Sequence, residues 1–213
     1  AATAAGVRMW QVPYWAGKAH MKLSHLMQAV AQFELALQHA PTAQRSVVEA
    51  WHMLASGAVH LQQRKLSKAL SRLEAAFNRA TFQGIGGKRF PIQEGGLDAS
   101  EAVVQIRQLR AVARLLTGQA ELALLDLDAL PLGDPEFDAS LPMAAFNRQV
   151  VETYLIERNQ PESAPAAWLS VVDTLHRGAT VGDQYALQTI ASVKLRHIVT
   201  SVLQGDFCNS RMQ

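Results

Sequence analysis

The segment best placed to do chemistry is Gly84-Ile85-Gly86-Gly87-Lys88-Arg89. Glycines expose backbone N–H groups and a lysine adds charge, the two ingredients of a phosphate cradle. Here no Ser or Thr follows Lys88, the second glycine is misplaced, and a helical rather than a strand pattern precedes the run. It reads as a flexible basic loop. Seven histidines are scattered through the chain. His20 and His25 are five apart, a poor spacing for one helix face, and His52 and His60 are two turns apart, too far to share a metal. The one cysteine, Cys208, lies near the C-terminus and cannot form an internal disulfide. No nucleophile–base pair stands out. The chain is therefore read as a non-enzyme with no metal, no cofactor and no small-molecule substrate.

Charge is the stronger signal. From Arg64 to Arg114 ten cationic side chains face four acidic ones, a net of +6, although the whole chain carries only +2. Arg64, Lys65, Lys68 and Arg72 make one helical stripe, and Arg107, Arg110 and Arg114 another. From Glu121 to Asp183 eleven acids face three arginines, a net of −8, with Asp126, Asp128, Asp134, Glu136 and Asp138 forming a patch. Such polarity suits a subunit wedged between different neighbours, or one packed head to tail. The basic region, including Lys88 and Arg89, would take an acidic protein surface or RNA. Phe82 and Phe90 are the aromatic residues best placed to stack on bases.

These side chains need elements to hold them. Apolar residues make up 49% of the 213, and Ala, Leu, Gln and Arg predominate, so the expectation is an all-α protein. Residues 1–12 read as an arm whose Trp10 would dock on a partner. From Tyr14 to Ala40 apolar residues, among them Trp15, Leu23 and Met27, recur at helical spacing up to Pro41. Thr42 is expected to cap a helix over 44–62, and Arg64-Lys65 turns the chain into another over 66–81. Residues 82–99, with five glycines and Pro91, form an irregular loop. Helices follow over 100–117, 119–130, 141–158, 163–177 and 183–204. Residues 205–213 read as a tail. No apolar run is long enough for a membrane span.

Overlaid, the helices show a recurring order of small and large residues. Gly17, Ala29, Phe33 and Ala36 before Pro41 match Gly57, Ala69, Leu73 and Ala76. Ala111, Ala123 and Leu127 follow the order in part, with Leu130 at a small site. Ala164 and Trp168 follow it more loosely, with Glu152 at a small site. This order resembles the tetratricopeptide repeat, in which paired helices approach closely through small residues. The starts (10, 50, 104, 145) are 40, 54 and 41 residues apart rather than 34. The resemblance implies a single α-solenoid of antiparallel pairs over 13–204, capped by its last helix. It also implies an inner groove, here including Lys18, Lys22, Arg107, Arg110 and Arg114, that takes acidic or amphipathic helical ligands.

The expected function is a protein-interaction scaffold, an accessory subunit of a larger assembly, with an RNA-binding repeat protein as the alternative. The start at Ala1 without Met fits a processed mature chain and equally a trimmed one. A basic pI near 8.9 and one thiol suit a mitochondrial matrix and a bacterial cytoplasm alike.

Overall fold

The computed structural model describes residues 9–81, 100–130 and 142–177. These fall into two compact units, Ala1–Thr117 and Gly118–Gln213. Among the described residues there are eight helices and no strand. None of these helices is long and apolar enough to cross a membrane. The expected loop 82–99, the helix over 183–204 and the tail lie outside the described residues.

The first unit holds α1 (Gln11–Lys22), α2 (Leu26–His39), α3 (Thr42–Gln62), α4 (Leu66–Thr81) and α5 (Ser100–Leu116). Successive helices pack on one another, and α3 also meets α5. The apolar run 14–40 is two helices, with Gly17 on the first and Ala29, Phe33 and Ala36 on the second. It breaks at Leu23-Ser24-His25, where Ser24 takes φ +58°. The Ser24 N–H donates to Met21 O and the His25 N–H to His20 O. That pair of bonds is the Schellman arrangement, which satisfies carbonyls left open at a helix end. The His25 carbonyl then accepts from Ala29 N, opening α2.

The same turn recurs at Gln63-Arg64-Lys65. Arg64 has φ +59°, its N–H donates to Leu61 O, and the Lys65 N–H donates to His60 O. A third turn, Thr117-Gly118-Gln119, repeats part of the pattern. Thr117 N–H donates to Ala113 O, Gly118 has φ +82°, and Ala123 N–H donates to Gln119 O. Only this third turn has a glycine to make the left-handed conformation easy.

The two earlier turns share a packing device. A Cβ on Gly17 would lie 2.8 Å from Phe33 Cε1, and one on Gly57 would lie 2.8 Å from Leu73 Cγ. Both distances are too short for a real side chain, so glycine lets the paired helices close. Ala29, Ala36, Ala69 and Ala76 are fully buried around these contacts. Tyr14, Phe33, Val48, Trp51, Leu54 and Ile106 fill the rest of the core. The Phe33 and Trp51 rings stack at 6.0 Å.

Thr42 is not a cap. It is the first residue of α3, behind Pro41 with φ −60° and ψ 150°, and no side chain caps that end. Proline supplies the extended backbone that stops α2 and aims α3.

The second unit holds α6 (Ala120–Asp128), α7 (Pro142–Asn159) and α8 (Ala164–Arg177), with α7 packed on both others. Ala123, Leu127, Val150, Val151, Trp168 and Val171 form its core. Leu130, at a position where a small residue was expected, is buried too. The Trp168 indole N–H donates to Glu157 Oε2 at 3.1 Å.

Candidate functional site

The predicted cationic residues separate into two kinds. Lys18 points inward: its ammonium pairs with Glu101 and lies 4.7 Å from the Trp15 ring and 5.0 Å from the Trp51 ring. Arg110 is only 7% exposed, and its guanidinium stands 3.8 Å from the centroid of Phe77. Arg107 approaches the same ring at 5.0 Å. Arg114 reaches Glu74 at 4.0 Å. The stripe 107–110–114 is thus correct in periodicity but faces α4. These cations hold α5 against Phe77 and Glu74 by cation–π attraction and ion pairing. Of the three arginines expected along an inner groove, Arg110 is buried and Arg107 and Arg114 are half-buried.

Lys22, Arg64, Lys65, Lys68 and Arg72 are of the second kind, all exposed. Lys65, Lys68 and Arg72 follow one another at three and four residues, so they climb one face of α4. Arg64 stands beside them in the left-handed turn position. Lys65 donates to the Gln63 side-chain oxygen at 2.8 Å. Among the described residues, Arg64, Lys68 and Arg72 make no ion pair. Farther along the helix Arg79 is held by Glu49 at 3.3 Å.

His60 reports the field of this ladder. Burial lowers its pKa below the ordinary value, and the positive charges of Lys65, Lys68 and Arg72 lower it further. The ladder therefore sits where folding disfavours it. The N-terminus of α4 is the positive end of a helix dipole, and its first turn contains no acid. Cations there are repelled, by about 0.3–1 kcal/mol each at low ionic strength. Arg64 also adopts a conformation that glycine would adopt more cheaply.

Comparison with family models, with curated proteins and with solved structures finds no match.

Trp10, expected as an exposed anchor, is 3% exposed and packs beside Tyr14, ring centroids 5.9 Å apart. Its place is taken by Trp15, one of the apolar residues at helical spacing, which is 56% exposed. Five residues of helix separate the two side chains by about 140°, so one faces in and the other out. Val12, Leu23 and Met27 are exposed as well. Spacing alone does not say which side of an apolar-rich helix the core takes.

The expected acidic patch is also partly consumed. Asp126 is buried, and Arg148 Nε donates to Asp128 Oδ1 at 2.8 Å while its Nη2 meets Glu152 at 3.0 Å. Arg158 donates to Glu121 and holds that carboxyl below its ordinary range. Asp134, Glu136 and Asp138, like Phe82, Lys88, Arg89, Phe90 and Cys208, lie outside the described residues. Among the described residues no three His, Cys, Asp or Glu side chains come within reach of one metal ion. The His20 and His25 rings lie 5.7 Å apart.

Proposed function

We propose that the chain is a tetratricopeptide-like interaction scaffold of antiparallel helix pairs, and that the Arg64–Lys65–Lys68–Arg72 ladder docks an acidic surface on a partner protein. The observation that carries this reading is the misplacement of the ladder for folding. Three exposed cations, Arg64, Lys65 and Lys68, crowd the positive end of α4, whose first turn holds no carboxylate to stabilise it, and Arg72 follows one turn on. They also oppose protonation of His60. An acidic partner supplies the missing counter-charge and relieves both costs. The steady separation of these cations from the inward ones favours a specific docking strip over a diffuse basic surface. The repeated turn and the Gly17–Phe33 and Gly57–Leu73 approaches support the repeat reading.

RNA is the competing ligand of a cationic strip, and two titrations separate it from protein. Fluorescence anisotropy of the full chain is followed with a labelled Glu-rich helical peptide and with a single-stranded RNA of mixed sequence. The proposal expects saturable peptide binding that weakens with salt, and tighter binding of peptide than of RNA. Preference for RNA, with the steep salt dependence of phosphate contacts, would replace the protein partner with a nucleic acid.

A further inference from the structure

The outward face of α1 has counterparts inside the chain that are covered. The Ser24 and Arg64 turns superpose positions 40 apart, and Ser24 and Gly118 superpose positions 94 apart. Val12, Trp15 and Ala19 of α1 then correspond to His52, Ala55 and Val59 of α3, and to Ile106, Leu109 and Ala113 of α5. In α3, Trp51 stacks on Phe33 and His52 Nε2 stands 3.5 Å from Glu34. Both partners belong to α2, so the 51–52–55–59 side of α3 faces the helix before it. Ala55 and Val59 on that side are buried, and so are Ile106, Leu109 and Ala113 of α5.

In α1 the same side stands open. Val12 is 72% exposed and Trp15 56%, and Ala19 is exposed. Met9 extends the stripe by one turn. A contiguous apolar face of this kind marks an interaction surface.

We infer that the Val12–Trp15–Ala19 face of α1 receives an amphipathic helix from a partner polypeptide, seated as α2 is seated on α3. The occupant is defined by the internal example. It presents large apolar side chains at intervals of three and four, one of them in the place of Phe33, and a carboxylate beside it in the place of Glu34. This is a helix-in-groove contact, read as anchors on one helical stripe. It lies apart from the cationic ladder and does not depend on it.

A peptide with the chain's own α2 sequence, residues 26–40, is the probe. Trp10, Trp51 and Trp168 are buried, so Trp15 is the one exposed tryptophan and dominates any change in polarity. Titrating the peptide into the full chain should move the emission to shorter wavelength and saturate with a Kd of about 1 mM or tighter. Val12→Glu, at an exposed position, should leave the far-ultraviolet circular dichroism unchanged and weaken peptide binding tenfold or more. Arg64→Glu should leave peptide binding unaltered, so failure here is distinct from failure of the ladder. The inference is overturned if no saturable shift occurs, or if Val12→Glu binds as well as the wild type. It is also overturned if the chain alone forms a dimer that Val12→Glu dissociates, since the occupant is then a second copy.

Discussion

Gly57 lies beneath the side chain of Leu73, so close that a single added methyl would stand 2.8 Å from Leu73 Cγ. Glycine inside a helix costs stability for want of a side chain, by about 0.5–1 kcal/mol relative to alanine. Its presence in the middle of α3 means the close approach to α4 contributes more than that penalty. The Gly17–Phe33 contact repeats the arrangement.

Gly57→Ala should therefore destabilise the protein despite raising helix propensity. Overpacking costs about 1–3 kcal/mol, and the propensity gain offsets about 0.5–1 kcal/mol of it. Urea denaturation should show a net loss of about 1–2 kcal/mol. Adding Leu73→Ala should cost less in the Gly57→Ala background than in the wild type, because the two side chains compete for one space.

His60 should give the fold a pH-dependent contribution. In the unfolded chain it titrates near its ordinary 6.5, and in the folded chain lower. Between those values the unfolded state binds more protons, so stability rises with pH there. The contribution is complete above about 6.5 and is lost as the pH falls toward the folded value. Comparison of urea midpoints between pH 7.5 and 5 should show a decline that His60→Gln reduces. An NMR titration should find the His60 pKa rising when a Glu-rich peptide occupies the ladder. An unmoved pKa at saturating peptide would place the ligand elsewhere.

Arg110 and Arg64 should behave as opposites under mutation. Arg110→Met removes a buried cation from the Phe77 ring, an interaction worth about 0.5–2 kcal/mol. It should lower stability and leave binding of an acidic peptide within twofold. Arg64→Gly should leave stability equal or raise it slightly, since Arg64 is held at φ +59°. It should weaken the acidic peptide severalfold. A binding defect in Arg110→Met without loss of stability would place the docking strip on α5 instead.

Much of the helix layout is legible in the amino-acid order. Pro41 marks the α2–α3 junction, Gly118 the α5–α6 turn, and the 64–72 spacing the cationic stripe. The repeat order implies a break between Gly17 and Ala29, but its place at Ser24 is not legible because no Gly or Pro announces it. Backbone hydrogen bonds to Met21 and His20 stabilise a left-handed residue that local propensity disfavours. The destinations of Arg107, Arg110 and Arg114 are hidden for another reason. Periodicity places side chains on a common face, but only packing decides whether that face meets water or Phe77. The same uncertainty exchanges Trp10 and Trp15.

The most direct measurement is a charge swap on the ladder. Arg64→Glu, Lys68→Glu and Arg72→Glu are combined in the full chain, and calorimetry compares a Glu-rich helical peptide with a Lys-rich one of equal length. The wild type should bind the acidic peptide and not the basic one. The swapped chain, with its circular dichroism unchanged, should reverse that preference. If it still binds the acidic peptide with wild-type affinity, the strip on α4 is not the docking site.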